Sequence, residues 1–161
     1  MTLTRRQFVL TSSLAFAGGV LPRVAIFGQQ PAPPPTKTSF ETLRDSVGIF
    51  NGRGGTIGWF VSPDGVVVID SQFPDTAQAC LDGLKQRSPR QIDALINTHH
   101  HGDHSGGNAV FRPAAKKIVA HAKVPGLQKA QAAQAGNEAG QVYPDTTFED
   151  AWKMQLGTES L

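Results

Sequence analysis

Residues Ile92–Thr98 (IDALINT) form a short, mostly apolar run, and His99-His100-His101-Gly102-Asp103-His104 follow it without a break. This junction constrains the chain more than any other segment. A run of that length and composition reads as a buried strand, so the polar hexapeptide sits where the strand leaves its sheet. Its frame is His-x-His-x-Asp-His. In a locally extended segment residues i and i+2 point the same way, so His99 and His101 face one direction together and His100 faces another. Gly102 lets the backbone turn sharply. Asp103 and His104 then arrive on the far side of the turn, and Ser105 is available to begin a helix. Four side chains of ligand type therefore converge at the end of one strand. Zinc takes imidazole and carboxylate ligands and keeps a coordination position for water. Bound zinc lowers that water's pKa toward about 7, and a second metal roughly 3.5–4 Å away clamps the attacking and leaving groups of a hydrolysis.

The segments around the junction fit a mixed α/β domain. Thr56–Val61 (TIGWFV) and Val66–Ile69 (VVVI) are β-branched and aromatic, and Ser62-Pro63-Asp64-Gly65 between them is turn chemistry, which predicts a hairpin. An earlier strand near Val47–Phe50 leads into Asn51-Gly52-Arg53-Gly54-Gly55. That loop lacks a phosphate-cradling pattern, because no helix follows it, and it reads as a flexible connection. Pro74–Arg87 is predicted helical, with Ala77, Cys80, Leu81 and Leu84 on one apolar face. Pro74 and Asp75 suit its start, Lys85 and Arg87 its end. Beyond the hexapeptide, Asn108–Phe111 reads as a short helix ended by Pro113, Lys117–Ala120 as a strand, Ala122–Ala135 as a helix, and 136–150 as loop. The expected order is β, β, α, β, α, β, α, with helices covering a sheet. Cys80 is the only cysteine, so no internal disulfide forms, and it reads as a buried packing residue.

The first residues read as an address rather than as fold. Thr4-Arg5-Arg6-Gln7-Phe8-Val9-Leu10 resembles the twin-arginine export signal of bacteria, and the uncharged stretch Phe8 to Leu21 that follows spans 14 residues. A membrane-spanning helix needs roughly 18 or more, so no stable membrane anchor is expected. Cleavage falls either after Ala15-Phe16-Ala17 or later, before Gln29. Residues 1–28 are read as the signal, 29–39 (QQPAPPPTKTS) as a stiff Pro-rich linker, and 40–161 as the folded part. The net charge of +2 derives from Arg5, Arg6 and Arg23; without them 12 basic and 13 acidic residues remain. Charge therefore gives no reason to expect a nucleic-acid or anionic-membrane partner. The expected location is the periplasm or beyond, reached through the export machinery in the folded state.

Strand-Thr98-His99-x-His101-x-Asp103-His104-x-Gly106-Gly107 resembles the signature of the metallo-β-lactamase superfamily, which includes glyoxalase-II-like thioester hydrolases. The resemblance runs from about Thr42 to Phe148. It implies an αββα sandwich, of which this chain covers about the first half. It assigns His99 and His101 to a first metal and Asp103 and His104 to a second. Asp103 is the catalytic candidate, orienting the hydroxide and handling its proton. Asp70, at the end of VVVID, matches a strand-end Asp that supports the metal loop; read by itself it could equally cap a turn. His100 and His121 are not expected to be ligands. The implied reaction is attack of hydroxide on a carbonyl, lactam or thioester of a small molecule, with two zinc ions in a complete domain. A single iron with sulfur oxidation is the alternative within the fold, and an inactive fragment that only binds metal is the other. The five histidines are 99, 100, 101, 104 and 121, so the later ligands of the family site are not expected here. The chain is accordingly expected to be a truncated gene product, or to associate with a partner that supplies the second half.

Overall fold

The structure is a computed structural model that describes residues 36–161. The export signal read over 1–28 and most of the linker read over 29–39 lie outside the described residues. In chain order the elements are β1 (Ser39–Arg44), β2 (Val47–Asn51), β3 (Ile57–Val61), β4 (Val66–Ile69), α1 (Pro74–Arg87), β5 (Ala94–Asn97), α2 (Gly102–Ser105), α3 (Asn108–Phe111), β6 (Ile118–His121), α4 (Val124–Ala135), β7 (Thr146–Phe148), β8 (Gln155–Leu156) and β9 (Glu159–Ser160). The first seven strands make one sheet in chain order, and β8 and β9 pair separately. β1 to β4 run antiparallel as a meander. From β4 onward the pairs are parallel, and each long crossover that this requires carries a helix.

The predicted hairpin forms as β3 and β4, with Val61 opposite Val66. The Ser62 hydroxyl closes its turn by accepting the Asp64 and Gly65 N–H groups at 3.2 Å. The helix predicted over Pro74–Arg87 has those bounds, with Pro74 at its first position, Asp75 in its first turn, and Lys85 and Arg87 in its last. Ala77, Cys80, Leu81 and Leu84 are all buried. They pack on Phe50, Ile57, Trp59, Val66, Val68, Leu95 and Ile118 of the sheet, with Phe111 of α3 beside them. Each such leucine contributes roughly 1.5–3 kcal/mol by leaving water. Burial also pushes the Cys80 thiol up to about 12, as expected of an inert packing residue.

Besides the small β8–β9 pair, two strands of the main sheet escaped the sequence pattern. β1 is an edge strand whose residues are exposed apart from half-buried Phe40. It is held by that one ring, which meets Phe50 edge-on at 4.8 Å and carries the Arg87 guanidinium at 3.8 Å. β7 lies within 136–150, which had been expected to be loop. Its three residues pair with β6, and Asp145, just before it, accepts the Ile118 N–H at 3.1 Å and pairs with Arg112. Both strands are held by their backbone ladders and a few side-chain contacts rather than by an alternating pattern. No helix among the described residues is long and apolar enough to cross a membrane.

Candidate metal centre

The parallel strands β4 and β5 end side by side, and both chain exits turn toward the same place. After β4, Asp70 and Gln72 take left-handed backbone conformations with φ of 65° and 52°. Such residues store strain of order 1–3 kcal/mol each and persist where surrounding contacts hold them. Asp70 is 3% exposed. Its carboxylate accepts the Thr98 N–H at 2.8 Å and the Thr98 hydroxyl at 2.7 Å. It also accepts His104 Nδ1–H at 2.8 Å. One side chain from β4 thus fixes both the strand exit of β5 and an imidazole on α2.

These bonds determine which ring nitrogens remain free. The single proton of the Thr98 hydroxyl goes to Asp70, so its oxygen accepts from His99 Nδ1, 3.0 Å away. His104 spends its Nδ1–H on Asp70. Both imidazoles are left with Nε2 lone pairs, the form in which histidine binds a metal. His99, Asp103 and His104 each offer a ligand atom, and the three atoms lie within 4.8 Å of one another. His104 Nε2 is 3.5 Å from Asp103 Oδ2. Burial, then the neighbouring His104 and His101, lower the His99 pKa, which favours the neutral ring that coordination requires. Two imidazoles and a carboxylate in this arrangement are a donor set suited to a metal ion.

His101 sits beside this group. Its backbone is extended, with φ −65° and ψ 146°, and its ring centroid is 4.8 Å from that of His99 and 4.5 Å from that of His100. It is exposed and stands outside the three-residue group. Its carbonyl accepts the His104 and Ser105 N–H groups at 3.0 Å and the Ser105 hydroxyl at 3.0 Å, which starts α2 as the spacing suggests. His121 lies at the end of β6, where Nδ1 accepts the Lys123 N–H at 3.2 Å.

Several supporting residues carry no signal in the sequence. The Asn51–Gly55 loop, expected to be a flexible connection, forms a wall of the centre. Gly55 N–H donates to the Asp103 carbonyl at 3.1 Å, and Gln72 Nε2 donates to the Gly55 carbonyl. A Cβ on Gly55 would stand 2.5 Å from His104 Cε1, so only glycine lets the loop approach the ring. Gly107 plays the same part behind the loop, where a Cβ would lie 2.2 Å from the Ser71 carbonyl oxygen. Buried Asn108 exchanges amide bonds with Asn97 at 2.8 and 3.0 Å. It also accepts the Ser71 hydroxyl at 3.0 Å and donates to the Val142 carbonyl at 3.0 Å. Together with Ser71 N–H to His104 carbonyl at 2.7 Å, this network ties the β4 exit, the β5 end and α3 into one unit.

Comparison with known proteins agrees with this geometry. The family model of the metallo-beta-lactamase superfamily matches residues 51–153. The crystal structure of metallo-beta-lactamase IND-7 superposes with a TM-score of 0.60 at 19% identity, over 76% of this chain and 57% of that one. A metallo-beta-lactamase from Pontibacter korlensis gives 0.59 at 20% identity, over 77% and 58%. MEM-A1, a subclass B3 metallo-beta-lactamase from a soil metagenome library, gives 0.59 at 20% identity, over 78% and 51%. The chain thus spans just over half the length of these structures. At such identity they show the fold, and the family match covers most of the described residues. Parallel strand ends that deliver two imidazoles and a carboxylate to one point, inside a matched segment of this extent, place the chain in the metallo-β-lactamase superfamily.

Proposed function

We propose that this chain is the N-terminal, metal-binding part of an exported zinc-dependent hydrolase that cleaves a carbonyl, lactam or thioester bond in a small molecule. The observation that supports this reading most is the Asp70 carboxylate, which sets the tautomers around His99 and His104. In the proposed assignment His99 and His101 serve one metal and Asp103 and His104 a second. Zinc bound there supplies a Lewis acid that acidifies water near neutral pH. Asp103, whose side chain is 42% exposed, is suited to hold and orient a proton at its Oδ2. The Gly54–Gly55 edge restricts access from the β2–β3 side. Export through the twin-arginine route, to the periplasm or beyond, belongs to the same proposal, resting on Arg5 and Arg6.

The test is metal stoichiometry and hydrolysis with one preparation of the full chain. Zinc binding is expected, weakened strongly by His99→Ala and by His104→Ala, and weakened by His101→Ala. A panel holding a chromogenic β-lactam, a glutathione thioester and a simple ester then identifies the bond cleaved. One tightly held iron with no zinc preference would move the reading to sulfur oxidation. Zinc affinity indifferent to all three substitutions would remove the metal centre altogether.

A further inference from the structure

A second cavity lies on the other side of the metal loop, between α4 and the start of α1. Its volume is about 260 Å³, a little below the roughly 300 Å³ at which pockets for drug-sized ligands begin. His100, which stands outside the three-residue group at the metal centre, forms part of its wall with Gly102, and so do Phe73, Gln128, Gln131 and Asn137. Gln128 is the unusual member. It is 7% exposed, yet its Oε1 is buried without a hydrogen-bond partner. Buried amides are nearly always satisfied, and the last torsion of a glutamine is broad enough to present either end of the amide.

We propose that this cavity binds one uncharged sugar ring or a fragment of that chemistry. No Asp, Glu, Lys or Arg lines it, so the recognised group carries no charge. Side-chain amides offer donor and acceptor together, which matches adjacent hydroxyls, and a half-turn of the Gln128 amide would bring its unpartnered, buried acceptor to an O–H donor. Phe73 and Pro74 give the apolar patch against which a ring's C–H edges pack. The Phe73 ring is held by the Arg53 guanidinium, 4.2 Å from its centroid, so this patch is preorganised. The cavity shares the 100–106 segment with the metal centre, but none of the three grouped ligands His99, Asp103 and His104 lines it.

The experiment is a two-dimensional NMR titration of the full chain, with and without zinc, using glucose, N-acetylglucosamine, glucuronate and acetamide as probes. Saturable shifts at Gln128, Gln131 and His100 are expected with the neutral sugars, at a Kd on the order of 1 mM for a ligand making a few hydrogen bonds. Gln128→Leu should weaken binding about tenfold or more while keeping the melting temperature, since it removes an unpartnered polar atom. Ala135→Trp, at the exposed end of α4, should block the mouth of the cavity and give the same loss in a protein whose Gln128 is intact. Sugar binding unchanged by both substitutions, or no saturable shift, overturns the proposal. Glucuronate binding as well as glucose overturns the uncharged class, and acetamide saturating the same signals while the sugars stay silent overturns the sugar.

Discussion

Asp70→Asn isolates the one carboxylate on which the centre hangs. Asparagine keeps the shape of the side chain and tolerates the left-handed backbone at φ 65°, so the change falls on the hydrogen bonds alone. Asp70 accepts three of them: from Thr98 N–H, the Thr98 hydroxyl and His104 Nδ1. An amide oxygen in the Oδ1 place still accepts from the Thr98 N–H, but the NH₂ in the Oδ2 place meets two donors. His104 then does best by moving its proton to Nε2, which withdraws the lone pair it offers beside Asp103. Loss of such a supporting partner typically weakens metal affinity 10–100-fold, or about 1.4–2.8 kcal/mol. The apoprotein should lose about 1.5–3 kcal/mol as well, the range for a hydrogen bond to a charged group. Competition against a chromophoric zinc chelator measures the first quantity, urea unfolding the second, and long-range ¹⁵N spectra of the imidazoles read the tautomer. Wild-type zinc affinity in Asp70→Asn, with His104 still protonated at Nδ1, would refute this account of the centre.

Other outcomes follow from the same contacts. Gly107→Ala forces a methyl against the Ser71 carbonyl and Ala77 Cβ and should cost on the order of 1–3 kcal/mol by overpacking, seen as a lower urea midpoint at unchanged slope. Asn108→Ala strands the Asn97 amide and the Val142 carbonyl, while the Ser71 hydroxyl keeps the His104 carbonyl, and should cost at least about 2 kcal/mol, since each orphaned buried group costs about 1–3, with zinc affinity falling in parallel. Burial pushes the Asp93 carboxyl up, but the Lys116 ammonium and the Val66 N–H outweigh it and hold it below the ordinary range. Its stabilisation is therefore full above its unfolded value and fades as pH falls through the lower folded one, so Asp93→Asn should flatten the loss of stability measured between neutral and acidic pH. Replacing Arg5 and Arg6 by lysine should abolish export, scored by fractionating cells; undiminished export would exclude the twin-arginine route.

The parts legible in the sequence are those whose signal is local. The helix Pro74–Arg87 announces itself by its apolar spacing and terminal charges, and the β3–β4 hairpin by its turn residues. The hexapeptide identifies the candidate ligands through its spacing, and Asp70 is visible as the polar end of VVVID. What holds these pieces is not local. Asn108 reads as an ordinary helix-starting residue, and nothing in its neighbourhood reveals the partners at 71, 97 and 142. Gly54 and Gly55 read as slack, although their lack of side chains is what lets the loop press on Asp103 and His104. β1 and β7 have weak patterns because one aromatic ring docks the first and a three-residue ladder the second. The close grouping of His99 with Asp103 and His104, with His101 standing aside, depends on the turn at Gly102 and on a carboxylate 34 residues before His104.

That carboxylate also imposes an order of events. Thr98 and His104 follow Asp70 by 28 and 34 residues, and α1 lies between them, so the bonds exist only after a whole crossover has closed. Loop closure of that length carries an entropic cost set by chain length, and that cost must be met before the contacts reward it. Before closure, the segment is a flexible peptide with four histidines, each free to offer either ring nitrogen. Afterwards His99 and His104 each present one. Selectivity for a metal is therefore a property that this chain acquires on folding, and an export route that accepts only finished proteins would carry it outward with that choice already made.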